Sequence, residues 1–221
     1  MFKRLLTVAA GVALVAMLAQ PASAQEGMGI RAGIQGGVTY YNLTGDDVGS
    51  SDSRIGFAAG AFAAFDFSPF FGLNLEGNWV QMGAENITAT GEPGDSINLR
   101  LAYIQVPLTL RGSLPLGEKT IIGAFAGVAA GISTTCQFKG TAENAAAISC
   151  DQVNQGEKSL VWSVPVGVGV TFNASSEARF ILDVRYDYGI TEVFKGVGTE
   201  DAPDVKNSGF QLFARGSYLV N

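Results

Sequence analysis

The sequence predicts an all-β fold: an eight-stranded antiparallel up-and-down β-barrel that spans a membrane, with short turns at one end and long loops at the other. Three observations carry that expectation. Side-chain character alternates with period two over most of the chain, and helical periodicity is nearly absent. Only 15% of residues are charged against 47% hydrophobic, and 29 are glycine; a soluble domain carries about 25% charged residues. Short and long connections alternate, the rhythm of a barrel with periplasmic turns and longer outer loops.

A targeting segment comes first. Lys3 and Arg4 precede an apolar run from Leu5 to Leu18, and Ala22-Ser23-Ala24 offers small residues for cleavage. This is the layout of a secretory signal peptide. Residues 1–24 are therefore expected to leave after Ala24, with 25–221 as the barrel domain. The run is shorter than the roughly 20 apolar residues of a spanning helix, and Pro21 follows it closely. A closed barrel is the other way across lipid, because it satisfies every backbone group between strands.

The strands follow in order. The first sets Ile30, Ala32, Ile34, Val38 and Tyr40 against Arg31, Gln35 and Thr39. The second sets Ile55, Phe57, Ala59, Ala61, Ala63, Phe65 and Phe67 against Gly56, Ala58, Gly60 and Asp66. The third opposes Leu73, Leu75 and Trp79 to Asn74, Glu76 and Asn78. In the fourth, from about Ile97 to Leu114, Leu99 and Leu101 share one parity, whereas Val106, Leu108 and Leu110 share the other. A β-bulge near Tyr103-Ile104 would reconcile them. A fifth, rich in Gly and Ala, spans roughly Thr120 to Thr135. The sixth runs from Leu160 to Phe172, and the seventh from Arg179 to Tyr188. The eighth runs from about Gly209 to Val220. Long connections cover about Thr44 to Ser53, Glu85 to Ser96, Cys136 to Glu157 and Val193 to Asn207.

Alternation alone also fits a soluble lipocalin-like barrel with its apolar face inward. The polar face decides. It is rich in Gly, Ala, Ser and Thr with isolated charges, which suits a crowded interior better than a water-facing surface. Aromatic placement supports the membrane reading. Tyr40, Trp79, Trp162, Tyr188 and Phe210 fall near the outer rim. Phe65, Phe67, Phe70, Phe71, Phe172, Phe180 and Tyr218 fall near the periplasmic rim. Two such belts are expected where a barrel crosses two interfaces.

Four segments are distinctive: Gly29-Ile30-Arg31-Ala32-Gly33, Leu75-Glu76-Gly77-Asn78-Trp79, Tyr103-Ile104-Gln105-Val106-Pro107-Leu108 and Arg185-Tyr186-Asp187-Tyr188-Gly189-Ile190. With them the chain resembles the PorT-type outer-membrane β-barrel family common in Bacteroidetes. The resemblance implies an envelope barrel, with one branch tied to protein secretion and gliding. Two features depart from it. The chain ends Tyr218-Leu219-Val220-Asn221 without a terminal aromatic, and the segment from Cys136 to Cys150 is a local elaboration.

Chemistry is sparse. Histidine is absent, which removes a Ser-His-Asp triad, a histidine proton shuttle and most zinc sites, so no enzyme and no cofactor are expected. Inward positions carry Arg31, Asp66, Arg179 and Asp187 besides a salt-bridged polar plug centred on Glu76, Arg100, Asp183, Arg185 and Arg215. An eight-stranded lumen is just wide enough for side chains to fill. Cys136 and Cys150, in an exported protein, are expected to form a loop disulfide. Removing Lys3 and Arg4 takes the net charge from −6 to −8, which argues against nucleic acid as a partner. Much of the acidic charge sits in the long connections, including Asp46, Asp47, Asp52, Glu200, Asp201 and Asp204. A solvated acidic surface is expected there rather than a metal site.

The expected partners are outer-membrane lipid, the barrel-assembly machinery during biogenesis and a protein partner held by the long loops. The leading function is a structural, adhesive or partner-binding role in the envelope. An accessory subunit of a secretion or uptake assembly is the alternative, followed by a narrow pore or a soluble ligand binder.

Overall fold

The computed structural model describes residues 29–45, 50–88, 96–140, 146–153, 158–194 and 204–220. The strands are β1 (Gly29–Thr44), β2 (Ser50–Asp66), β3 (Phe71–Thr88), β4 (Ile97–Pro115), β5 (Thr120–Gly140), β6 (Ala147–Ser149), β7 (Leu160–Asn173), β8 (Ala178–Gly189) and β9 (Lys206–Leu219). A 3-10 turn, Cys150–Val153, follows β6. All strands except β6 form one antiparallel ring in the order β4-β3-β2-β1-β9-β8-β7-β5, closed by β4 against β5. The three-residue β6 lies along the far end of β5. No described helix is long and apolar enough to cross a membrane.

Three tight turns share one end of the ring. Phe67 N–H donates to the Phe71 carbonyl, Leu116 N–H to Thr120 and Ala174 N–H to Ala178. In the first and third turns the hydroxyl oxygens of Ser68 and Ser175 accept from backbone N–H groups two and three residues on. This local bonding is why serine suits a turn. The long connections occupy the opposite, loop end.

Period-two alternation fixes what faces where. Ile34, Phe57, Val168 and Leu212 point outward, each more than half exposed. Gln35, Asn78, Asp183, Arg185 and Gln211 point inward and are buried. An apolar outside around a polar inside suits a barrel in lipid and rules out the lipocalin-like arrangement. Small residues make room for large ones across the lumen. A Cβ on Gly167 would lie 2.5 Å from Phe125 and 2.9 Å from the Arg185 Cβ.

Three expectations need correction. β4 keeps one phase throughout, so Leu99, Leu101 and Tyr103 all point inward and are buried. Arg100 lies between them, exposed on the outer face, and is not part of the lumen cluster. The register break is at the expected height but in the facing strand. Ala102 pairs with Thr135 and Tyr103 with Ser133, leaving Thr134 as the extra residue of β5. Its hydroxyl donates to the Ala102 carbonyl at 2.9 Å. Cys136 sits within β5 rather than in a loop, because β5 runs on to Gly140. It is bonded to Cys150, with Cα atoms 5.5 Å apart. The disulfide therefore ties the returning segment to the barrel wall. The expected signal peptide with its Ala24 cleavage point lies outside the described residues, as do Asp46, Asp47, Glu200 and Asp201.

Candidate functional site

The candidate site is the lumen, which side chains fill layer upon layer. At the turn end Asp66, carried by β2, faces three arginines. Arg111 of β4 reaches its Oδ1 at 2.6 Å, Arg179 of β8 its Oδ2 at 3.1 Å, and Arg31 of β1 lies 3.8 Å away. Arg31 also donates to the carbonyls of Glu177 and Ser176, fastening a turn to the barrel floor.

Above this lies the central network. Arg185 on β8 donates to both Glu76 oxygens, at 2.9 and 3.2 Å, and to Asp183 at 3.4 Å. Arg215 on β9 lies 3.2 Å from Glu76 and 2.9 Å from Asp183. Gln35 and Asn78 donate to Glu76 at 2.9 and 3.0 Å. Every one of these four charged side chains is at most 3% exposed. Burial of that depth removes water, so only pairing and hydrogen bonds stabilise the charges. The guanidiniums also stack on rings. Arg185 lies 4.7 Å from the centroid of Phe213 and 5.3 Å from Phe125, and Arg215 lies 4.0 Å from Phe62.

The next layer is neutral apart from one acid. Asp187 Oδ2 accepts from the Tyr41 hydroxyl and from Gln105, both at 2.7 Å. Gln211 donates in turn to Tyr41. At the loop end the lumen becomes apolar. Leu43, Val80, Met82, Leu99, Leu101, Val193, Phe194 and Val205 pack with the disulfide into one buried cluster. Beyond the wall, Lys158 pairs with Glu192 at 2.5 Å, and that hydrogen bond holds the Glu192 carboxyl below its ordinary range.

The structure thus brings together Glu76, Asp183, Arg185 and Arg215, and leaves Arg100 out. Sequence reasoning missed Arg111, the aromatic floor and ceiling formed by Phe62, Phe125 and Phe213, and the apolar lid. A signal existed for Phe62: it stands on the parity of Gly60 and Asp66, so alternation turns it inward.

Residues 18–195 match the family model for the outer membrane protein beta-barrel domain. The chain belongs to that outer-membrane β-barrel family. Solved structures agree in fold. The outer membrane protein OprG from Pseudomonas aeruginosa is 12% identical with a TM-score of 0.52, covering 87% of this chain and 96% of that one. The E. coli Outer Membrane Protein W is 13% identical with a TM-score of 0.52, covering 88% and 100%. No curated protein matches the sequence.

As an outer-membrane barrel, the protein directs its turn end to the periplasm and its loop end outward. Tyr40, Trp79, Trp162, Tyr188 and Phe210 all project from the wall on the loop side. Phe67, Phe70, Phe71, Phe172, Phe180 and Tyr218 project on the turn side. Among the described residues, no three Cys, Asp or Glu side chains gather into a metal-binding set. Of the acidic loop residues that are described, Asp52 accepts from Asn86 and Asp204 pairs with Lys206.

Proposed function

We propose that this barrel is a non-enzymatic envelope protein with a closed lumen, acting at its loop end in a structural, adhesive or partner-binding role. The carrying observation is the buried network of Glu76, Asp183, Arg185 and Arg215, which crosses the lumen from β3 to β8 and β9. Above it, past the Asp187 layer, the apolar cluster packs the loop end of the lumen. A solute would have to break several charge-assisted bonds and then displace packed side chains. Contact with other molecules is left to the outer wall and to loops, where barrels and other scaffolds carry function.

Conductance tests this reading. Purified protein in a planar lipid bilayer should give no discrete current steps. Regular steps in the wild-type protein would overturn the closed lumen and favour a narrow pore.

Finer placement rests on the sequence. The four distinctive segments support membership of the PorT-type family, without selecting its secretion-linked branch, and residues 1–24 stand as a cleaved leader. Partners on this reading are membrane lipid, the assembly machinery during insertion, and a protein held by the loops. Nucleic acid is not among them, given the acidic chain. Co-purification of a stable larger complex would move the barrel to an accessory subunit of a secretion or uptake assembly.

A further inference from the structure

We propose that the periplasmic floor of the lumen is an oxyanion site, built by Arg31, Arg111 and Arg179 around Asp66, for a phosphate group presented from the periplasm. The argument starts from charge. Three guanidiniums meet one carboxylate within ion-pairing distance, at 3.8, 2.6 and 3.1 Å. The side chains of Arg31, Arg111 and Arg179 are 7%, 15% and 20% exposed, and that of Asp66 is 14% exposed. Among the described residues, positive charge is thus in excess at a floor where water is scarce. A lysine could shed such charge as a proton; a guanidinium cannot.

The central network offers no relief. Asp183 and Glu76 are engaged by Arg185 and Arg215, and Asp187 lies a layer further out. The Glu177 carboxylate is turned to the outside, where it accepts from the Tyr218 hydroxyl. Only its carbonyl serves Arg31.

Donors are available as well as charge. The Nε atoms of Arg31, Arg111 and Arg179 are all buried without a hydrogen-bond partner. Arg111 and Arg179 each hold Asp66 through a single Nη. A tetrahedral oxyanion matches the paired donors of guanidinium groups, and such bonds are about twice as strong as neutral ones. The partly exposed floor gives access from the periplasm, and the filled layers above stop the anion there. Two sources share this chemistry: free inorganic phosphate and the headgroup of an anionic phospholipid in the inner leaflet.

Calorimetric titration of the folded barrel in dodecyl maltoside with inorganic phosphate, at low ionic strength, tests the site. Saturable binding is expected. Arg179→Gln should weaken it by about tenfold, the equivalent of losing one charge-assisted bond. Asp66→Asn should tighten it severalfold, because it removes the carboxylate that competes with the ligand. Opposite signs from the two variants separate the site from diffuse attraction to a basic patch. Each variant is first checked for the heat-dependent gel shift of a folded barrel. If Arg179→Gln does not fold, the direction of the Asp66→Asn effect decides. Repeating the titration in phosphatidylcholine nanodiscs, with and without phosphatidylglycerol, identifies the source. A weaker apparent affinity with phosphatidylglycerol means that the headgroup occupies the site; an unchanged one means free phosphate. No saturable heat in the wild type, or an affinity unmoved by Asp66→Asn, overturns the proposal.

Discussion

Arg185 is the hinge of the central network, and replacing it gives the sharpest test of how the lumen is held. Arg185→Leu removes two bonds to Glu76 and one to Asp183, all between side chains at most 2% exposed. Among the described residues, it leaves Glu76, Asp183 and Asp187 facing Arg215 as the one remaining cation of the central layers. Orphaning charge at this depth costs about 3–5 kcal/mol. Glu76→Gln is milder. It leaves Arg185 and Arg215 against Asp183 and Asp187, a balanced set, and forfeits charge-assisted bonds worth about 1.5–3 kcal/mol. The double variant should cost less than the sum, by a coupling of about 0.5–3 kcal/mol, because the neutral amide in place of Glu76 no longer carries the charge that Arg185 neutralised. The assay is urea unfolding in lipid vesicles, followed by fluorescence of Trp79 and Trp162, the two tryptophans of the chain. With a slope of about 1–3 kcal/mol per molar urea, the midpoint for Arg185→Leu should fall by on the order of 2 M. Wild-type midpoints for both single variants, or strict additivity in the double, would refute the network as a stabilising unit.

Other predictions follow from the same geometry. Arg100→Gln, on the exposed face, should change the unfolding free energy by no more than about 0.5 kcal/mol in that assay. Val168→Arg, at an outward position more than half exposed, should cost about 2–4 kcal/mol in a bilayer, whereas a water-facing residue would tolerate it. Reducing Cys136–Cys150, which closes a separation of 14 residues, should lower stability by about 3 kcal/mol in the chain-entropy model, read as a shift in unfolding midpoint with and without reductant. The Lys158–Glu192 pair should fasten the start of β7 above the ordinary glutamate pKa. It should release as pH falls through the depressed value of the folded state. Faster amide exchange at Lys158, whose N–H donates to Val193, would report that release.

The strands and their facing were legible in the sequence because lipid and a crowded lumen make opposite demands on alternate residues. What failed was the assumption that apolar always means outward. It holds for Ile34, Phe57 and Val168, and fails at Leu99 and Leu101, where the outer lumen is itself apolar. That error turned Arg100 inward on paper and placed a bulge in β4, although the extra residue is Thr134 of β5. Glu76, Asp183, Arg185 and Arg215 were readable as inward charges from parity alone. They were expected to form one salt-bridged plug, and they do without Arg100; which guanidinium meets which carboxylate was not readable, since partners such as Arg185 and Glu76 stand 109 positions apart. Arg111 was legible by the same rule, since it follows Leu110 on the inward parity of Thr109, but it was not drawn from it.

The closing seam gives the lumen an order of events. β1 meets β9 from Arg31–Leu219 to Thr44–Lys206. Tyr41 and Gln211, which join across it, are 170 positions apart. Until the last strand docks, two sheet edges stay unpaired and cannot enter lipid. Contacts of such long range form late. β9 brings Gln211, Phe213 and Arg215 with it, so the edge is sealed and Glu76 and Asp183 gain their second cation in one movement. The final strand works as a latch whose bolt is Arg215: without β9, β1 and β8 keep unpaired edges and, among the described residues, Glu76 and Asp183 face Arg185 alone.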